Sequence, residues 1–334
     1  MRTATSKIRF DKAGYYFIGL VALVLLGFWK SYFSLFFKDV TNDYAFYFHF
    51  HATMVSLWVL MLIVQPILIR KKKLNVHRFI GKFSYAIMPL LLLSIILIEN
   101  YTGKLSPDAE LTFTNYVNSL SDALKVLIFF VIAIWGRHNV SIHARAMVCT
   151  GIAFIGPALV RFLANVHIPN GYIVYAVMIC SLLVTLIIIE RKQKIGRWIF
   201  PLMLGLSLAN FILAIYQIQI PVLDPAVKWI VKLPLTPSPI VKDLLIPQNE
   251  IDSYIGEWED EYGTVTYKKE KQLWIHWTEK GNPDSTRLLY QGDGKFIADK
   301  YRSLSLYFKL KDGKAEAFSN YYAYIYGGTS QRKK

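Results

Sequence analysis

The sequence predicts an α-helical membrane bundle of about seven transmembrane helices, N-terminus in and C-terminus out, followed by a small all-β antiparallel domain. Apolar runs of about 20 residues recur from Gly14 to Ile220, and each is long enough to cross a hydrocarbon core of about 30 Å. The basic residues gather in alternate loops. From about Tyr254 the hydrophobic period changes to two, the spacing of a half-buried strand. The composition agrees, with 54% hydrophobic and 18% charged residues.

The spans are expected at 14–36, 44–69, 78–99, 114–136, 142–164, 171–190 and 197–219. The first is too long and too aromatic for a cleaved leader and reads as a retained signal anchor. Arg2, Lys7, Arg9 and Lys12 precede it. Arg70, Lys71, Lys72, Lys73 and Arg78 lie between spans two and three, Arg137 and Arg145 between four and five, and Arg191, Lys192, Lys194 and Arg197 between six and seven. The other loops are poor in Lys and Arg: one carries Lys38 with Asp39 and Asp43, another Lys104 with Asp108 and Glu110, and 165–170 carries none. This bias places the N-terminus in the cytoplasm and the C-terminus outside. A bacterial inner membrane, crossed several times, is the default setting.

The transmembrane domain is assigned to 1–220. The segment 221–247 is a linker rich in proline (Pro221, Pro225, Pro234, Pro237, Pro239, Pro247), a residue that stiffens the chain and lacks a backbone donor. Within it Val227–Leu233 reads as an amphipathic turn at the membrane surface, with Trp229 as anchor. An extracytoplasmic β-domain takes 248–334. Its expected strands are 264–267, 273–277, 286–290, 295–298, 304–310 and 314–318, with turns at Asn282-Pro283-Asp284, Gly292-Asp293-Gly294 and Asp312-Gly313. Such a pattern makes a small antiparallel sheet or half-barrel. With Tyr254, Gly256 and Trp258 at its start, it resembles the small β-domain appended to bacterial serine hydrolases. His276, between Trp274 and Trp277, reads as a packed or surface residue.

The net charge of +15 does not point to nucleic acid. Residues 248–334 carry 14 basic and 13 acidic residues, so the excess lies in the helical part and follows the loops. Cys149 and Cys180 both fall within spans, which excludes a disulfide framework. There is no P-loop, dinucleotide-type glycine fingerprint or nucleophile elbow.

Polar residues inside a bilayer are costly and are functional candidates by default. Two groups emerge. On the cytoplasmic side His77 and His143 open spans three and five, each two places after an expected N-cap, Asn75 or Ser141. They therefore lie at one depth, and a pair of neutral imidazoles across a bundle can bind the iron of a b-type haem. The plain alternative is helix capping or lipid contact. In the outer half, His51 lies about 12 Å below the start of span two and shares a face with Trp58 and Gln65 at seven-residue spacing. His49 points about 200° away. Asn115, Asn118, Asp122 and Lys125 form a polar stripe on span four, with Arg161 and Asn210 at similar depth on spans five and seven. His51, Gln65, Asn118, Asp122, Lys125, Arg161 and Asn210 are the candidate outer polar pocket. The alternative here is an internal ion-pair network that fixes packing. His51, Asp122 and His167 supply at most three zinc ligands, and no metal is expected.

His51 through Gln65-Pro66 to His77-Arg78-x-x-Gly81, and His143-x-Arg145-x-Met147 with Gly156-Pro157 and Arg161, resemble a group of bacterial predicted multi-span membrane proteins of unknown function. The resemblance covers residues 45–190 and implies a bundle without an activity. The pair His77 and His143 is also distantly similar to a ligand pair of transmembrane cytochromes b, whose second pair would require a histidine where span four has Asp122. Three functions stay open: electron transfer through a single haem on His77 and His143, a transporter or membrane enzyme using the outer pocket, and an envelope sensor or scaffold whose β-domain binds an extracytoplasmic partner. The sequence does not decide whether the protein is an enzyme. The lipid bilayer is the one partner common to all three.

Overall fold

The computed structural model describes residues 10–37, 44–105, 111–216, 218, 223–259, 264–268, 272–279, 282–322 and 325–333. Arg2, Lys7, Arg9, Lys38, Asp39, Asp43, Asp108, Glu110 and Pro221 lie outside them, as does the side chain of Asn115. The helices are α1 (Ala13–Gly27), α2 (Phe46–Arg70), α3 (Leu74–Gly81), α4 (Ser84–Gly103), α5 (Leu111–Trp135), α6 (Val140–Ala153), α7 (Ile155–Asn165), α8 (Gly171–Glu190) and α9 (Ile199–Ile215). Among the described residues, six stretches are long and apolar enough to cross a membrane: Phe10–Gly27, Phe46–Arg70, Leu74–Gly103, Asn118–Trp135, Val140–Asn165 and Gly171–Glu190. α9 is a shorter apolar helix of 17 residues.

Two spans are broken. α3 passes into α4 at Lys82 and Phe83, and α6 into α7 at Phe154, just before Gly156-Pro157. Pro66 and Pro89 sit inside α2 and α4, positions that membrane helices tolerate because neighbouring groups satisfy the freed carbonyl. Lipid tails are as apolar as leucine, so the helices associate through close packing. Gly14 and Gly27 make α1 fit: a Cβ on Gly14 would come within 2.4 Å of the Ile63 carbonyl oxygen, and one on Gly27 within 2.3 Å of that of Ala158. The side chain of Asn165 then donates to the carbonyls of Leu26 and Gly27, and Lys30 donates to the Asn165 carbonyl.

The expected N-caps shift by two residues. Asn139 caps α6, its side chain accepting from the backbone of Ser141 and Ile142, and α3 starts after Lys73 without a side-chain cap. Each histidine still occupies the same place, four residues past its cap: the amide of His77 donates to the Lys73 carbonyl and that of His143 to the Asn139 carbonyl.

The linker forms α10 (Leu223–Lys232), longer than the expected turn, lying against α4 and α5. Asn100, fully buried in the last turn of α4, ties it down. Its amide nitrogen donates to the carbonyls of Ile230, Val231 and Leu233, and its oxygen accepts from the amide and hydroxyl of Thr236. Lys104 adds a bond to the Thr236 carbonyl.

After α11 (Ile251–Tyr254) come eight strands: β1 (Gly256–Glu257), β2 (Thr264–Lys268), β3 (Gln272–Glu279), β4 (Asn282–Gly292), β5 (Lys295–Ala298), β6 (Leu304–Lys311), β7 (Lys314–Tyr322) and β8 (Ile325–Gln331). They form one antiparallel meander in chain order. The sheet curls until its ends meet: Trp258 bridges Arg332, Glu259 donates to the Gln331 carbonyl, and Lys333 donates to that of Glu257. This roll removes most of the exposed edge. Its core is aromatic, with Tyr254, Trp258, Phe296, Phe308 and Phe318 packed edge to face or tilted. Asp312-Gly313 (φ 50° and 75°) supplies the left-handed pair of a tight hairpin. Asn282-Pro283-Asp284, expected as a turn, instead opens β4, with Pro283 paired to Thr278. His276 bonds to Thr266 across β2 and β3 at 2.7 Å. β8 packs against α7.

Replacing Asn100 with Leu keeps the volume and strips Thr236 and the end of α10 of their partners. Each buried unsatisfied group costs about 1–3 kcal/mol. Trypsin should then cut the full-length protein after Lys232 faster than it cuts the wild type.

Candidate functional site

The outer cluster is built by four helices. His51, in the second turn of α2, bonds through Nδ1 to Ser94 Oγ of α4 at 2.9 Å. The Ser94 hydroxyl donates its only proton to the Leu91 carbonyl at 2.7 Å, so it accepts from His51, and Nε2 of that ring is left as an acceptor. One turn and a half further along α4, the Glu99 carboxylate accepts a hydrogen bond from Ser119 of α5. Arg161 of α7 donates to the Pro157 carbonyl at 3.0 Å and stacks 4.5 Å above the Phe28 ring. Its charge acts on Glu99, His51 and Tyr44. Tyr44 stands just before α2, hydrogen-bonded to the Ser31 carbonyl. Burial and the neighbouring phenols of Tyr307 and Tyr321 hold its own phenol well above the usual range. Tyr307 and Tyr321 belong to β6 and β7, so the rolled sheet covers this end of the bundle.

A second group adjoins the first through α5. Lys125, buried, pairs with Asp122 at 2.6 Å. Asn118 Oδ1 accepts from Tyr172 of α8 and from Asn210 of α9, both at 3.2 Å. Asp122 also acts electrostatically on Tyr172 and Tyr175. Of the seven residues expected in one pocket, His51 and Arg161 therefore meet in one cluster, and Asn118, Asp122, Lys125 and Asn210 in its neighbour. Gln65 joins neither, because 14 residues along α2 carry it about 21 Å towards the other end. His49 turns away from both and bonds Tyr32 at 2.7 Å.

His51, Glu99, Asp122 and Arg161 are each half-buried. These polar groups lie together at one end of the bundle, the end on which the rolled sheet sits. Towards the other end of the bundle stand Trp58, Met88, Leu91 and Phe129, all fully buried. Sequence reasoning missed Glu99, Ser119, Ser94, Tyr44 and Tyr172. Glu99 was visible as the single carboxylate of its apolar run, at the last position of the expected span 78–99.

At the inner end His143 donates from Nδ1 to the Ala133 carbonyl at 2.9 Å. His77 bonds the Gln65 carbonyl and lies within electrostatic reach of His143. Nearby, Arg145 and Glu190, both fully buried, form an ion pair between α6 and α8, with Phe10 stacked 5.0 Å over the guanidinium. His167 is exposed in the turn after α7 (φ 57°). Among the described residues no group of three or more His, Cys, Asp and Glu is placed to hold a metal. No family model matches the chain, and no curated protein or solved structure matches it either.

Removing one partner of a buried ion pair costs about 3–5 kcal/mol, whereas an apolar pair of similar volume is often tolerated. Glu190→Gln should therefore lower the unfolding temperature in detergent markedly. Arg145→Met combined with Glu190→Leu should recover most of that loss.

Proposed function

We propose that the chain is a transporter of the cell membrane, with its N-terminus in the cytoplasm, and that the half-buried cluster of His51, Glu99 and Arg161 lines an outer chamber with Met88 at its floor, which takes in a small polar solute from the extracytoplasmic side. Seven passages, α9 included, put the rolled sheet outside above the chamber mouth. The observation that carries this reading is the meeting of His51, Glu99, Ser119 and Arg161, from four helices, with the His51, Glu99 and Arg161 side chains only half-buried. Charges of both signs and an imidazole suit a solute that is zwitterionic or rich in donors and acceptors. Arg161 supplies a fixed donor, Glu99 a carboxylate and His51 Nε2 an acceptor. The break at Phe154 favours a carrier over a membrane enzyme. It lies two turns before Arg161, and discontinuous helices are where membrane carriers hold and release solutes.

The test uses Ser119→Cys in a Cys149→Ser, Cys180→Ser background, in right-side-out vesicles. Membrane-impermeant thiosulfonates added outside should modify Cys at 119 and leave Met88→Cys, at the floor, unmodified. Arg161→Gln should lower the ratio of anionic to cationic reagent rates by about tenfold or more, and Glu99→Gln should raise it, as for a unit charge several ångströms away at an effective dielectric constant near 20. Labelling from the inner side alone, or a ratio indifferent to both changes, would overturn the reading.

A further inference from the structure

Among the described residues, Gln65 and His77 leave a set of buried polar atoms without hydrogen-bond partners, and His143 lies within electrostatic reach of them. The Gln65 side chain is 9% exposed, and neither its oxygen nor its nitrogen has a hydrogen-bond partner. Nδ1 of His77 is buried and equally without a partner, while that ring is held by the Gln65 backbone carbonyl. In His143 the bond from Nδ1 to the Ala133 carbonyl fixes the proton there and leaves the Nε2 lone pair free. The three side chains converge. His77 and His143 feel each other, and the Gln65 nitrogen lies 3.7 Å from where a Cβ on Gly81 would stand, one turn past His77 on the same side of α3. An unmet buried polar group costs about 1–3 kcal/mol, so the Gln65 amide and Nδ1 of His77, unmet at one end of the bundle, point to something that binds there.

The chemistry of the set selects the ligand. Two imidazoles, each anchored through its other nitrogen to a backbone carbonyl, are the outer-shell arrangement that orients metal-binding histidines. Imidazole suits first-row transition ions, whereas calcium and magnesium demand oxygen ligands. We propose that His77, His143 and the Gln65 side-chain oxygen form a transition-metal site at the inner end of the bundle, separate from the outer chamber. The metal arrives as a bare divalent ion or as the iron of a haem. In the second case the two histidines are its axial ligands and Gln65 lies beside them.

Detergent-purified full-length protein should be loaded separately with Co2+, Cu2+ and haemin. One centre per chain is expected. Visible d–d bands with Co2+ and nitrogen hyperfine structure in the Cu2+ electron spin resonance spectrum identify a bare-ion site, and b-type bands with haemin identify haem. His77→Ala and His143→Ala should each abolish the signal. Gln65→Leu should weaken affinity about tenfold or more, and His138→Ala, on an exposed neighbour, should change nothing. Wild-type protein giving no imidazole-ligated signal with any of the three probes overturns the site without recourse to a variant. Signals unchanged in both histidine variants overturn it equally.

Discussion

A cation taken into an apolar bundle must bring its anion with it, and this constraint organises the helices. Arg145 has Glu190, Lys125 has Asp122, and Arg161 has Glu99 within reach of its charge. Two of these three pairings reach between different helices, α6 to α8 and α4 to α7, which share little close backbone approach, so each charge ties together elements that backbone packing alone hardly joins. Coulomb attraction at low dielectric is strong enough to do this, and the desolvation cost is what forbids other pairings. The uncharged polar groups follow the same logic: Asn118 joins α5 to α8 and α9, and Asn165 ties α7 to α1.

The molecule divides into two ends with different polar chemistry. One end holds paired charges, hydroxyls and an imidazole. The other end holds two imidazoles and an amide beside one closed ion pair. Between them Trp58, Met88, Leu91 and Phe129 form a dry layer in which the indole nitrogen of Trp58 has no partner. The seven-residue spacing of His51, Trp58 and Gln65 thus runs the length of one helix face and serves each region in turn.

The apolar runs were legible in the sequence because span length is set by the thickness of hydrocarbon, and six of them stand close to where they were read. The first was overestimated, since aromatic residues continue past Gly27 into a short 3-10 turn at Phe33–Phe37. β1 and β8 were illegible for a physical reason. One is two residues long, the other contains Gly327-Gly328, and both owe their place to closure of the sheet. The polar stripe on α5 was readable from helical spacing, but its division between two clusters was not. Glu99 meets Ser119 and Arg161, residues far along the chain that only the packing of α4 against its neighbours brings near. The caps of α3 and α6 both stand two residues earlier than read, so each histidine keeps the same offset from its cap.

The Asn100 anchor has a mechanical consequence. Thr236 is fastened to the bundle, while Lys242 is already hydrogen-bonded to Gln291 and Asp243 paired with Arg287 of the rolled sheet. Only residues 237–241 span the gap, and five residues reach at most about 18 Å when fully extended. The sheet is therefore a leashed cap. If its contact with α7 opens, it stays at millimolar local concentration over its own seat. Rebinding then outcompetes any free rival that is not present at comparable abundance.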